Sequence, residues 1–269
     1  MSSTLIRRAA LPAVAAALVL PLAACGGSKS SSSSSASGSP SGSAASGKKV
    51  TLTVLAAASL DNVFKAEATA YEKAHPGTTV RFSFAGSQDL AAQVKQGVPA
   101  DVLVTADTKT MDGLKSETGS PTIIAKNRLT IATAPGNPKK ITGLDDLSKS
   151  SLKVVLAAPQ VPVGNYGDKV LKAQHVTVHP VSQEASVTAV LSKVELGEAD
   201  AGIVYVTDAE GAKGKVGTVT IPDSQNAIAS YPAATLDDSK DKTDASAFVS
   251  FLASSQGQSI LRSYGFQQP

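Results

Sequence analysis

The chain contains no tryptophan, and aromatic residues make up only 4% of its 269 residues. A platform on which bases or sugars stack needs several aromatic rings, so this composition argues against binding of that kind. Cys25 is the only cysteine. An intrachain disulfide is therefore excluded, and the hydrophobic core alone must hold the fold.

The chain also lacks a basic domain, although its formal net charge is +3. Five basic residues and no acidic residue precede Val50, which leaves 20 Lys and Arg against 22 Asp and Glu in the rest. A nucleic-acid-binding domain would carry a basic patch. An anion bound by this part of the chain would have to be held by neutral hydrogen-bond donors.

No hydrophobic run reaches the length of a comfortable membrane span, which takes about 20 residues. The apolar run from Ala9 to Leu22 follows two arginines, as in the charged and apolar regions of a signal peptide. The residues Leu22-Ala23-Ala24-Cys25-Gly26 resemble the bacterial lipobox. We therefore predict a lipoprotein signal peptide over residues 1–24 and lipidation of Cys25.

Residues 25–48 consist almost entirely of Ser, Gly, Ala and Lys. Such a segment cannot bury enough apolar surface to offset the entropy lost on ordering, so we predict a disordered tether. A tether behind a lipidated cysteine places the folded part outside the cell, anchored to the outer face of the cell membrane.

The remaining residues alternate between strand and helix patterns, which predicts an α/β fold with parallel sheets and helices on both faces. The stretch Val50–Ala70 opens as a buried strand and continues as an amphipathic helix, with Ser59 at the junction. Ser59 is placed to cap this helix, and free N–H groups at a helix N-terminus attract anions. Ser87 follows the predicted strand Thr79–Ala85 in the same way.

A second strand–helix series begins at Leu152, and its first helix is predicted to start near Asn165. Ser186 opens a predicted helix over Val187–Leu196, and Tyr205 lies near the end of a predicted strand. In open α/β sheets, ligands collect at the carboxyl ends of the strands, where these residues stand.

The two series predict two lobes around a ligand cleft. A chain crossing near residue 133 and a return near residue 227 separate them. We therefore predict that residues 49–132 and 228–269 form lobe 1 and that residues 133–227 form lobe 2.

His175 and His179 are too far apart to bind one metal ion. They lie in a segment, His175–Val181, that is predicted to be a strand, in which four residues span about 13 Å. We predict no metal site and no cofactor.

Six short motifs, in this order, resemble the molybdate-binding proteins that serve ABC importers. These proteins are two-lobed periplasmic-type binding proteins of the type II fold, and the resemblance covers Val50 to Phe266. The motifs are Ala56–Leu60 (AAASL), Ser83–Ser87 (SFAGS), Pro99–Asp107 (PADVLVTAD), Val161–Tyr166 (VPVGNY), Gly202–Tyr205 (GIVY) and Arg262–Phe266 (RSYGF).

Proteins of this family bind their oxyanion with hydrogen-bond donors only, drawn from both lobes. The resemblance implies that the serines of lobe 1 supply hydroxyl and N–H donors, and that lobe 2 supplies two backbone N–H groups and a phenol. The implied ligand residues are Ser59, Ser87, Val163, Ser186 and Tyr205. Two positions depart from the family, because it often has alanine at Val163 and commonly has serine at Gly86.

The implied chemistry agrees with the absence of a basic domain. Molybdate and sulfate are fully deprotonated dianions at pH 7, so their oxygens only accept hydrogen bonds. Hydrogen phosphate carries a proton, and leaving that proton without an acceptor costs roughly 1–3 kcal/mol. The resemblance further implies a monomeric, non-enzymatic binding protein for molybdate and tungstate that works with an ABC permease and its ATPase.

Three other interpretations remain. A binding protein for sulfate or another tetrahedral oxyanion would need the same donors. A secreted hydrolase would explain serines at strand–helix turns, but the chain has no G-x-S-x-G motif. A surface adhesion protein would explain the tether but not the donor-rich junctions.

Overall fold

The computed structural model describes residues 49–269. The predicted signal peptide, Cys25 and the tether lie outside the described residues. Among residues 49–269, no helix is both long and apolar enough to cross a membrane.

The described residues form a nine-stranded sheet in the order β2-β1-β3-β9-β4-β7-β5-β6, with β8 paired to β4. The strands are β1 (Val50–Ala57), β2 (Thr78–Ala85), β3 (Val102–Val104), β4 (Thr122–Thr133), β5 (Val154–Ala157), β6 (Ser182–Glu184), β7 (Ala201–Tyr205), β8 (Gly217–Thr220) and β9 (Ile228–Thr235). The helices are α1 (Asp61–Ala74), α2 (Ser87–Lys95), α3 (Thr108–Asp112), α4 (Pro162–Ala173), α5 (Val187–Glu195), α6 (Val206–Gly211), α7 (Lys242–Ala253) and α8 (Ser255–Ser263). Short 3₁₀ turns lie at Ala58–Leu60, Leu144–Ser148 and Asp223–Gln225.

Strand β4 belongs to two groups of strands. Its residues Thr122–Arg128 pair with β9, and its residues Leu129–Thr133 pair with β7 and β8. We refer to β1, β2, β3 and β9 with their helices as lobe 1, and to β5, β6, β7 and β8 with theirs as lobe 2. The predicted two-lobed α/β fold is confirmed, with the change of partner falling slightly before the predicted crossing.

The pairing of strands differs between the outer strands and the crossing strands. The pairs β1–β2, β1–β3, β5–β6 and β5–β7 are parallel, as expected of strands joined through helices. The antiparallel pairs all include β4 or β9. Parallel pairing is therefore found in the outer part of each lobe. The strands that run between the lobes, β4 and β9, pair antiparallel with their neighbours.

Helix α1 shows how packing reinforces the sequence pattern. Its residues Val63, Phe64, Ala68 and Tyr71 are buried and recur at helical spacing. The ring of Tyr71 packs edge-on against Phe248 at a centroid distance of 5.0 Å, which joins α1 to α7.

Three predicted elements differ in the structure. The segment His175–Val181 is not a strand, because His175 has a φ of +56° and turns the chain away from α4. Helix α4 begins at Pro162 rather than near Asn165. The sequence over Ala245–Tyr264 predicts one closing helix, but this segment falls into the two helices α7 and α8, because Ser254 is extended and its hydroxyl accepts from the N–H of Gly257 to cap α8.

Candidate functional site

Four of the five predicted ligand residues line one small, partly open cavity between the lobes. Ser59 and Ser87 reach it from lobe 1, and Val163 and Tyr205 from lobe 2. The remaining lining residues are Ala57, Ala58, Ala85, Gly86, Ala106, Val161, Pro162 and Val187. None of these side chains is charged.

Ser59 lies in the 3₁₀ turn between β1 and α1. The prediction that it caps α1 is wrong, because neither the turn nor α1 has a side-chain cap. The Ser59 hydroxyl instead shares a hydrogen bond of 3.0 Å with the hydroxyl of Tyr231 in β9. Ser59 is thus positioned by a crossing strand rather than by its own helix.

Ser87 is the first residue of α2 and is only 1% exposed. Its Oγ accepts a hydrogen bond of 3.0 Å from the backbone N–H of Ala106. Because the hydroxyl oxygen accepts this bond, its own O–H remains a donor for another group. In the first turn of α2, the N–H of Asp89 already donates to the carbonyl oxygen of Gly86 at 2.9 Å.

Val163 is the second residue of α4, after Pro162. Proline has no N–H, so the first N–H that α4 can present to the cavity belongs to Val163. The close approach of α4 to β5 depends on Gly164, because a Cβ there would lie 2.2 Å from the carbonyl oxygen of Ala158. The backbone, rather than the valine side chain, defines this donor.

Ser186 is the predicted ligand residue that the cavity lining does not include. It is the N-cap of α5, and its Oγ accepts from the N–H of Ala189 at 3.2 Å and contacts the Thr188 hydroxyl at 3.0 Å. Its neighbour Val187, the first residue of α5, lines the cavity. The sequence could have predicted a donor at Val187, because Ser186 is a typical N-cap and the first free N–H of a helix belongs to the residue after its cap.

Tyr205 is the last residue of β7 and is 1% exposed. Its hydroxyl is buried and has no hydrogen-bond partner among the described residues. Burial, reinforced by the nearby Tyr231 hydroxyl, raises the pKa of Tyr205 well above its usual value. The phenol therefore stays protonated, and it is an unused donor beside a neutral cavity.

Residues 52–267 match the family model of bacterial extracellular solute-binding proteins. The chain belongs to this family. It is 40% identical over 222 residues to the molybdate-binding protein ModA of Mycobacterium tuberculosis, a match that covers 81% of this chain and 85% of that protein.

Two solved structures share the fold of this solute-binding protein. The periplasmic molybdate-binding protein of Azotobacter vinelandii superimposes with a TM-score of 0.69 at 23% identity, covering 81% of this chain and 99% of that chain. The sulfate-binding protein SubI of Mycobacterium tuberculosis superimposes with a TM-score of 0.73 at 22% identity, covering 81% of this chain and 87% of that chain.

The crossing strands of this solute-binding protein connect the site to both lobes through a polar network that the sequence did not reveal. Asn127 of β4 donates to the Thr207 hydroxyl of α6 at 2.8 Å and to the Tyr231 hydroxyl at 3.5 Å. Tyr231 in turn contacts Ser59. Ser59 in lobe 1 is therefore linked to Thr207 in lobe 2 through side chains of β4 and β9.

Asp208 is the acidic group most closely tied to the site. Its carboxylate accepts from the backbone N–H of Tyr205 at 3.1 Å, and it is only 8% exposed. Burial raises the pKa of Asp208 to about 7. Its charge therefore changes near neutral pH, and it lies outside the cavity lining.

Metal ligation finds no support in the side chains of residues 49–269. They contain no group of three or more His, Cys, Asp or Glu side chains that could hold a metal ion. Three hydroxyl-bearing side chains, those of Ser59, Ser87 and Tyr205, line the cavity together with the first residues of α4 and α5.

Proposed function

We propose that this extracellular solute-binding protein captures molybdate, and tungstate with it, for an ABC importer. The observation that carries the proposal is the buried Tyr205 hydroxyl, which has no partner among the described residues and adjoins a cavity without charged side chains. The relative that is 40% identical bears the name molybdate-binding protein, and this supports the choice of oxyanion.

The donor set suits a fully deprotonated dianion. Hydroxyl donors come from Ser59, Ser87 and Tyr205, and N–H donors come from the helix N-termini at Val163 and Val187. These groups belong to residues that line one cavity, and donors of this kind require no counter-cation. Ser186 supports this arrangement as the cap that holds the start of α5.

Binding favours closure of the two lobes, because the donors come from both. A ligand that contacts lobe 1 and lobe 2 together binds the closed form better than the open form and shifts the population toward it. The closed form is what the permease of the importer would recognise. This role requires no catalytic chemistry.

The cellular setting follows from the N-terminal segment. We propose that residues 1–24 are removed as a signal peptide, that Cys25 is lipidated, and that residues 25–48 tether the domain to the outer face of the membrane. We also propose residues 49–132 and 228–269 as lobe 1 and residues 133–227 as lobe 2. The protein acts as a monomer with a permease and an ATPase as partners.

Calorimetric titration tests the function directly. The full chain, carrying Cys25→Ser to prevent lipidation, is titrated with molybdate, tungstate, sulfate and phosphate in turn. We expect tight binding of molybdate and tungstate, and binding of phosphate weaker by at least tenfold because its proton finds no acceptor.

Sulfate is the decisive competitor, since it carries the same charge and only its size differs. Sulfate binding as tight as molybdate binding would keep the site but change the function to sulfate uptake. No heat with any of the four anions would contradict the proposal.

A further inference from the structure

Lobe 1 and lobe 2 come into close contact beside the cavity, between the start of α2 and residue Ala185. Ala185 lies between β6 and α5 in lobe 2 and is exposed. Gly86 and Gln88 flank the ligand residue Ser87 in lobe 1. The contact thus joins the two lobes immediately beside a proposed donor.

Gly86 lets the lobes approach. Its φ of −59° and ψ of 141° are open to any residue, so its backbone conformation does not demand glycine. Its surroundings do, because a Cβ at this position would lie 2.4 Å from the carbonyl oxygen of Ala185. The family commonly has serine here, but in this structure a side chain would require the backbone of Ala185, and with it lobe 2, to shift, since that oxygen belongs to the backbone.

Gln88 bonds across the space that Gly86 leaves. Its Nε2 donates to the Ala185 carbonyl oxygen at 2.9 Å and to Asp89 Oδ2 at 3.0 Å. Gln88 does not line the ligand cavity but lies in an adjoining groove, together with Gln160 and Asn165 of lobe 2. Its side chain therefore connects the two lobes and does not contact the ligand cavity.

The hydrogen bond between Gln88 and Ala185 stabilises the closed form only weakly. The Oε1 of Gln88 is buried and has no hydrogen-bond partner among the described residues. Opening of the lobes would return this oxygen to water, which offsets part of what the Nε2 bond contributes. The net stabilisation of the closed form is therefore small, which suits a protein that must release its cargo.

We propose that Gly86 and Gln88 form an interlobe latch that sets how fully the protein closes and how fast it releases its oxyanion. The inference rests on the proposed function for its ligand, but the contact itself does not depend on which oxyanion binds. Gln88 is a positioning residue in this mechanism, because it holds Ala185 and touches no ligand.

Two variants test the latch. Gln88→Met keeps the length of the side chain and removes the donor, so we expect release of molybdate about threefold to tenfold faster in stopped-flow displacement. Gly86→Ala forces the lobes apart, and we expect affinity at least tenfold lower. The matched controls are Gln96→Ala at the exposed end of α2 and Gly143→Ala, whose Cβ would meet no atom within 4 Å.

Interlobe distance gives a second measurement, which reports closure of the lobes separately from affinity. Spin labels at Lys95→Cys and Leu196→Cys, two exposed positions in lobe 1 and lobe 2, are placed in the full chain with Cys25→Ser. With 1 mM molybdate, we expect one short distance in the otherwise unmodified protein and a longer one in Gly86→Ala.

The outcomes separate the latch from the proposed function. Release rates and distances that match the controls in both variants would overturn the latch, as would a protein that stays open with every oxyanion. A protein that binds no oxyanion, yet shows a short distance that lengthens in Gly86→Ala, would support the latch and overturn the proposed function.

Discussion

The hydroxyl donors and the backbone donors of the cavity are positioned by different means. Ser59, Ser87 and Tyr205 supply hydroxyls that packing or hydrogen bonds hold in place, as in the contact between Ser59 and Tyr231. The donors proposed at Val163 and Val187 are backbone N–H groups, which the helix itself orients. A single substitution can delete the first kind of donor, whereas the second kind survives almost any change of side chain.

The largest effect on the hydroxyl side is expected for Tyr205→Phe. It removes the donor and keeps the ring, so we expect molybdate to bind about tenfold to a hundredfold more weakly by calorimetry. The ligand-free protein should unfold at an equal or higher temperature, because the variant also removes a buried hydroxyl without a partner. Unchanged affinity would remove Tyr205 from the ligand set.

The next effect is a pH dependence that originates beside Tyr205. The pKa of Asp208 is raised by burial to about 7, so its carboxylate gains charge between pH 6 and pH 8. A charged Asp208 repels a dianion, and we expect affinity to fall about threefold to tenfold over this range. Asp208→Asn should make the affinity independent of pH, and a trend that persists in this variant would assign it to another group.

The free energy of unfolding should also fall as pH rises. The folded protein holds the proton of Asp208 up to about pH 7, whereas the unfolded chain loses it near 3.8, so stability falls as pH rises between these values. Glu67 provides the control, because its carboxyl is buried in α1 with no hydrogen-bond partner among residues 49–269, and burial raises its pKa to about 8. Glu67→Gln should weaken the pH dependence of thermal unfolding and leave that of affinity unchanged.

The smallest effect on binding is expected for Val163→Ala on the backbone side. The variant keeps the N–H of residue 163, so affinity should stay within about twofold of the original. Stability should fall by about 1–2 kcal/mol, because a buried side chain loses two methyl groups. A large loss of affinity without a loss of stability would mean that the side chain, and not the N–H, sets the site.

The difference between hydroxyl and backbone donors also explains which site residues could be predicted from the sequence. Ser59, Ser87 and Tyr205 are visible in the sequence because their side chains carry the donor. For the start of α5, the expectation of a backbone N–H donor fell on Ser186, whereas the cavity is lined by the next residue, Val187. A backbone donor leaves no trace in side-chain chemistry, and only the helix boundary reveals it.

Local sequence patterns also predicted two features that the structure replaces with tertiary contacts. Ser59 has the residue type and place of a helix cap, but a hydroxyl from β9, far away in the chain, takes its hydrogen bond. The residues His175–Val181 favour a strand by composition, yet β6 forms later, at Ser182–Glu184, where pairing with β5 is available. Propensity is overruled in both places by a partner that is distant in sequence.

The sequence by itself determined the α/β architecture, the donor-bearing junctions and the neutral character of the site, because hydrophobic periodicity, helix-start residues and charge are local properties. Only the tertiary structure decided that Tyr205 keeps a free hydroxyl, that Val187 reaches the cavity and that Gly86 adjoins Ala185. These features arise where two lobes meet. They depend on distances between residues far apart in the chain, which packing alone sets.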